Sequence, residues 1–248
     1  DKMINILMPM GGESNFFDSK EYQYPVPLIE ICNKLMISIV IDNYSTIVQE
    51  KHFIFVVNKK DCEKYHLDNV LRLLTDRKSL IIKLKKETKG AVCSALMAID
   101  NIDNDFPLII ANSDQLLDIN MDNVISFFSD NNADAGLICF ETVHPRWSFA
   151  RADEDDCVVE TSEKRPISKN GIAGFYYFKH GADFVRGAMQ SIKKDSNLDG
   201  IFFIAPVLNE FILENKLIKI FRIPNDKLHT FYSPQKIKEY EQQISPEG

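Results

Sequence analysis

One carboxylate in this chain stands where a ligand-binding sheet would place it. Leu108, Ile109, Ile110 and Ala111 form a short apolar run of buried-strand character, and it stops at once at Asn112-Ser113-Asp114-Gln115. Open α/β sheets bind ligands outside the carboxyl ends of their strands. An aspartate at that edge can hold Mg²⁺ and, through the metal, a phosphate; its other common role is to cap the following helix. A second feature lies near the amino terminus. Strand-like Ile4-Asn5-Ile6-Leu7-Met8 runs into Pro9-Met10-Gly11-Gly12-Glu13-Ser14-Asn15, a glycine-containing loop able to approach a nucleotide.

The elements that must position these residues follow from periodicity. Strand 3–9 is followed by a long loop through Pro25-Val26-Pro27. A helix is expected from about Lys34 to Val48, with Met36, Val40 and Tyr44 on one face. Strand His52–Val57, helix Asp61–Leu74, strand Leu80–Leu84, helix Gly90–Ile99, strand Leu108–Ala111 and helix Met121–Ser129 come next. Such alternation predicts right-handed βαβ units and a mainly parallel sheet. Beyond Ala135 the pattern changes to four strands joined by turns: Ala135–Phe140, Trp147–Ala152, Val158–Ser162 and Ile172–Phe178. Asp153-Glu154-Asp155-Asp156 reads as a solvated hairpin tip. Helices Gly181–Lys193 and Phe203–Asn215, strand Leu217–Ile223 and a last helix after Ser233-Pro234 complete the chain. The expected organisation is one domain, with residues 1–140 as a nucleotide-binding half and 141–248 as a sugar- or acceptor-binding half. The cleft between the halves is the natural site.

Bulk properties narrow the class. The 248 residues are 45% hydrophobic and 26% charged, an ordinary globular balance. A net charge of −7 argues against a nucleic-acid binder, which needs a basic footprint. The cysteines, Cys32, Cys62, Cys93, Cys139 and Cys157, show no C-x-x-C pair, and the histidines show no ligand spacing. With no membrane-spanning run and no signal-peptide pattern, the expected location is the cytoplasm, with no membrane partner.

Several segments together resemble the sugar-phosphate nucleotidylyltransferases (NDP-sugar pyrophosphorylases), in particular a branch associated with capsule and lipopolysaccharide loci. They are Leu108–Gln115, His144-Pro145-Arg146-Trp147-Ser148-Phe149-Ala150, Ser162-Glu163-Lys164-Arg165-Pro166-Ile167-Ser168, Ile172–Phe178 and Ala205–Glu210. The resemblance implies a GT-A-like Rossmann variant: a mixed, mainly parallel sheet with helices on both faces and an antiparallel-rich lobe over the carboxyl edge. It implies a reaction in which a sugar 1-phosphate attacks the α-phosphorus of a nucleoside triphosphate and releases pyrophosphate. Catalysis there is largely positioning and charge neutralisation. On this resemblance Asp114 is the Mg²⁺ ligand and, with Lys164, a catalytic residue; Lys164 contacts the sugar's phosphate. Met10, Gly11, Gly12, Thr88, Gly90 and Asn112 fall at the nucleotide, and Glu163, Gly174 and Asn209 at the sugar or acceptor.

The chain departs from this pattern at the phosphates. The family's G-x-G-[ST]-R-[LF] loop reads Gly12-Glu13-Ser14-Asn15-Phe16-Phe17, so Phe16 replaces a clamping arginine and Glu13 adds a negative charge. The P-K-P-L stretch reads Pro25-Val26-Pro27-Leu28, with Val26 for a lysine; Lys20 is the cation in the intervening loop. Ile201 stands where many relatives carry a sugar-binding glutamate. A second metal carboxylate is missing near Leu228–Pro234, where Asp226 or His229 could substitute. Three readings stay open at this level. The first is a nucleotidylyltransferase. The second is a GT-A glycosyltransferase using a formed NDP-sugar, whose D-x-D motif is here Asn112-Ser113-Asp114. The third is a degenerate binding protein in which Phe16, Phe17 and Val26 plug the triphosphate pocket.

Overall fold

The structure is a computed structural model that describes residues 2–12 and 14–245. Strand β1 (Ile4–Pro9) leads through a long loop to the hairpin β2 (Glu30–Ile31) and β3 (Lys34–Leu35). Helix α1 (Met36–Ser45), β4 (Lys51–Asn58), α2 (Lys59–Tyr65), α3 (Leu67–Leu74), β5 (Ser79–Leu84), α4 (Ala91–Leu96), α5 (Ile99–Ile102) and β6 (Leu108–Ala111) follow. The second part comprises β7 (Gln115–Leu117), α6 (Met121–Asp130), β8 (Ala135–Glu141), β9 (Ser148–Ala152), β10 (Val158–Glu163) and β11 (Asn170–Phe178). It ends with α7 (Gly181–Lys193), α8 (Val207–Leu213), β12 (Ile218–Arg222), β13 (Leu228–Thr230) and α9 (Pro234–Ile244).

A nine-stranded sheet runs in the order β10-β9-β11-β6-β1-β4-β5, and β8 joins it by pairing with β11 and with β12. Strands β6, β1, β4 and β5 are mutually parallel, and β11 lies antiparallel to β6, so the antiparallel half continues the same sheet. Alternation along β1 divides the core. Ile4, Ile6 and Met8 pack with Ile37, Val40 and Tyr44 of α1 and Val124 and Phe128 of α6. Leu7 faces the other way, with Val92 and Ala95 of α4 and Phe184 of α7. Each such fully buried aliphatic side chain contributes roughly 1.5–3 kcal/mol, which is why helices cover both faces of the parallel strands. A third, small cluster of Ile29, Ile31, Met36, Phe231 and Ile237, with Phe17, Tyr22 and Val26 against it, ties the long loop to α9.

Four expected helices differ from those observed, each for a local reason. The helix expected from Lys34 begins only at Met36. Cys32 and Asn33 adopt φ of 50° and 64°, the paired positive dihedrals of a tight hairpin, so Lys34–Leu35 is a strand. The 61–74 helix breaks into α2 and α3 at His66, which is left-handed at φ 56°. The 90–99 helix closes at Leu96, where Met97 and Ala98 N–H groups donate three residues back to Ser94 and Ala95, and α5 is a separate turn. The 203–215 helix starts after Pro206, since residues before a proline disfavour helical backbone. Among the described residues no helix is long and apolar enough to cross a membrane.

Candidate active site

The carboxyl ends of β1, β4 and β6 open into a cavity of about 600 Å³. Its floor is built by the strands: Pro9 and Met10 leave β1, Asn58 ends β4, and Asn112-Ser113-Asp114 leaves β6. Its roof is the long loop, including Gly12, Phe16, Phe17 and Val26. Asp114 is pinned by its neighbours. The Asn112 N–H donates to the Gly174 carbonyl (2.9 Å), the Gln115 amide to the Ala173 carbonyl (2.5 Å), and the Phe231 N–H to Asp114's own carbonyl (2.8 Å). Asp114 does not cap α6; the Asn120 side chain does, accepting from Asn123 N–H at 3.2 Å. The half-buried Asp114 carboxyl is therefore offered to the cavity. Burial pushes its pKa above the usual aspartate range, against the opposing pull of its own backbone N–H and of Arg146.

Arg146, from the turn before β9, enters the same cavity. Its guanidinium carbon lies 3.4 Å from the centre of the Tyr232 ring and 5.1 Å from that of Trp147. Phe16 meets Tyr232 edge-on at 5.5 Å. The turn that delivers Arg146 also builds a neighbouring site. Ser148 Oγ donates to the Glu163 carboxylate, and the Lys164 N–H donates to the Trp147 carbonyl (3.1 Å). Burial raises the Glu163 carboxyl, while Ser148 and Lys164 pull it back down. Lys164 is exposed, left-handed at φ 55°, with its ammonium 5.1 Å from the Phe203 ring centre.

No family model matches the chain, and no curated protein matches it by sequence. Solved structures do. The nucleoside-diphosphate-sugar pyrophosphorylase of Vibrio cholerae RC9 superposes with a TM-score of 0.84 at 20% identity, over 96% of this chain and 100% of that one. The chain has the pyrophosphorylase fold. A UDP-glucose pyrophosphorylase complexed with UDP-glucose superposes with a TM-score of 0.76 at 14% identity, over 99% of each chain.

Within this pyrophosphorylase fold the expected site residues divide into groups. Met10, Gly12, Asn112 and Asp114 line the cavity. Gly11 lies buried beneath it, where an added Cβ would stand 2.7 Å from Leu84 Cδ1. Glu163 and Lys164 form the neighbouring site. Gly174 is a left-handed kink (φ 58°) within a register shift of β11, and the Asn112 carboxamide fills the space its side chain would need. Three residues sit elsewhere, in internal bonds. Thr88 Oγ1 donates to the Gly90 carbonyl (3.0 Å), and Gly90, at φ 112°, packs against the backbone of Phe202. Asn209 accepts from Thr161 N–H (2.9 Å) and donates to its carbonyl (3.1 Å), clamping α8 to β10.

The loop cations turn out differently. Lys20 is exposed and does not line the cavity; Lys60 and Arg146 do. Phe17 and Val26 pack into the small third cluster, while Phe16 stays 59% exposed, and the cavity between them remains open rather than plugged. Neither Asp226 nor His229 lines it; Tyr232 stands there instead. Glu13 lies outside the described residues. Asn58, Lys60 and Asp61 could have been anticipated as the carboxyl end of a parallel strand. Arg146 lay within the resemblance, in His144–Ala150, but a turn arginine carries no signal of direction.

Proposed function

We propose that this chain is a sugar-phosphate nucleotidylyltransferase of surface-polysaccharide (capsule or lipopolysaccharide) synthesis, working in the cytoplasm where nucleoside triphosphates are supplied. The observation that carries this reading is the open cavity joining the Gly12 loop to Asp114 within a pyrophosphorylase fold. A phosphate oxygen of the acceptor attacks the α-phosphorus of the nucleotide; that O–P bond forms as the bond to the pyrophosphate oxygen breaks. The Met10–Gly12 loop and Asn112 hold the nucleotide. Lys164 holds the acceptor's phosphate from the end of β10, and the Glu163 carboxylate, fixed by Ser148, accepts hydrogen bonds from the sugar hydroxyls.

Among the described residues no group of three His, Cys, Asp or Glu side chains gathers. One half-buried carboxylate facing an open cavity of about 600 Å³ suits Mg²⁺, which takes one or two carboxylates and completes its shell with substrate phosphates and water. Asp114 would hold it. When bound, the ion supplies charge neutralisation at the phosphates.

The test is pyrophosphate release from a panel of nucleoside triphosphates with sugar 1-phosphates and Mg²⁺. Release with at least one pair, abolished by Asp114→Ala, is expected. Tighter binding of an NDP-sugar than of any triphosphate, with no pyrophosphate released, would replace this reading with the glycosyltransferase one. No ligand binding at all would leave a degenerate protein.

A further inference from the structure

The cavity contains a cation, Arg146, that forms no ion pair among the described residues. Among the described residues the Arg146 guanidinium makes no ion pair and no hydrogen bond, and its Nε is buried without any partner. A guanidinium nitrogen taken out of water without an acceptor is unfavourable, so a fold that holds one there leaves room for an acceptor from outside. Tyr232 supplies the holding: the guanidinium lies 3.4 Å from the ring centre, close enough for a cation–π contact that fixes the plane of the fork. Among the described residues the other charged groups on the cavity wall are Lys60, Asp61 and Asp114. Asp114 feels the positive field of Arg146 without an ion pair to it. On the loop side, Phe16 and Val26 contribute no charge.

We propose that Arg146, held by Tyr232, is the phosphate-binding cation of this cavity, and that it takes the polyphosphate end of the nucleotide. The proposal rests on the nucleotide reading above. The triphosphate is favoured over the acceptor's phosphate because Arg146 shares its cavity with the glycine loop, whereas Lys164 lies outside it. A planar fork presented at a fixed angle grips two phosphate oxygens at once, which an ammonium cannot do. In this arrangement one cation brought from the acceptor half replaces those missing from the loop. Tyr232 is a positioning residue.

The experiment is calorimetric binding of inorganic pyrophosphate, an unphosphorylated nucleoside, the matching triphosphate and a sugar 1-phosphate. It compares the wild type with Arg146→Gln, Arg146→Lys, Tyr232→Phe and Tyr232→Leu. Arg146→Gln is expected to weaken pyrophosphate and triphosphate binding by at least about tenfold and to leave the nucleoside unchanged. Arg146→Lys should recover only part of this. Tyr232→Phe should behave as wild type, since the ring face is kept, and Tyr232→Leu should fall between. Ligand-free melting of Arg146→Gln at or above the wild-type temperature is expected, because an unpaired charge has been removed.

Unchanged triphosphate affinity in Arg146→Gln overturns the proposal and leaves the nucleotide reading standing. Equal loss for nucleoside and triphosphate also overturns it, showing Arg146 to be structural. A loss confined to the sugar 1-phosphate moves Arg146 to the acceptor and overturns it too. If the wild type binds none of the probes, both the proposal and the nucleotide reading fall.

Discussion

Gly174 and Asn112 occupy one another's space: a Cβ on Gly174 would stand 2.4 Å from the Asn112 Nδ2. The same glycine accepts the Asn112 N–H at 2.9 Å, and its φ of 58° is one that other residues adopt at a cost. The kink therefore sets where β6 ends and where Asp114 begins. Gly174→Ala is expected to destabilise the fold by about 1–3 kcal/mol, from backbone strain and displacement of Asn112. It should also weaken nucleotide binding. Urea unfolding and calorimetry on the same variant check both; full stability with unchanged binding would mean the strain is absorbed without moving β6.

The raised pKa of Asp114 has a pH signature. A carboxyl whose folded value lies above its unfolded one, about 3.9, adds stability below that unfolded value. The contribution is lost as pH rises through the folded value. Asp114→Asn removes the burial penalty of the charged form. It should therefore melt above the wild type at pH 7, with the gap closing as pH falls toward 4. A variant less stable than wild type across that range would show that the carboxylate makes contacts outweighing its desolvation.

Asn209 separates a structural from a ligand role. Its amide meets both the N–H (2.9 Å) and the carbonyl (3.1 Å) of Thr161. Asn209→Ala leaves two backbone groups of the buried Thr161 without those partners, which costs about 1–3 kcal/mol. The expected result is a lower unfolding midpoint in urea with unchanged KM for the sugar phosphate. A raised KM at unchanged stability would place Asn209 in the acceptor site.

What could be read from the chain alone follows a physical divide. Buried parallel strands are uninterrupted apolar runs, so Ile4–Met8 and Leu108–Ala111 stood out, and with them the strand-end position of Asp114. Roles set by partners far along the chain did not. Asn209 is occupied by Thr161, 48 residues away. Gly90 is a glycine because the backbone of Phe202 lies against it, 2.5 Å from where a Cβ would be. The Cys32-Asn33 hairpin was hidden because its left-handed turn contains no glycine. Arg146 depends on a turn whose His144 ring nitrogen accepts the Arg146 N–H at 3.1 Å, a bond that neighbouring residue types do not announce. Apolar periodicity thus located the sheet and one acid, while the site's counter-charge emerged only once distant segments were brought together.

The two loop positions that lack a cation should respond differently to having one put back. Phe16 is 59% exposed and touches Tyr232 only edge-on, so Phe16→Arg gives up little packing and should change stability by no more than about 0.5 kcal/mol. Val26 packs against the cluster of Ile29, Ile31 and Phe231, so Val26→Lys should cost about 1 kcal/mol or more. Both positions line the cavity. If the polyphosphate runs beneath the loop, Phe16→Arg should tighten triphosphate binding about tenfold through a charge-assisted contact and leave the unphosphorylated nucleoside unaffected. Val26→Lys should show a smaller gain, offset by its packing loss. Calorimetry on the two variants, beside urea unfolding, measures both quantities. A stable Phe16→Arg protein with unaltered triphosphate affinity would show that the phosphates bypass the loop and rest on the Asp114 and Arg146 wall alone.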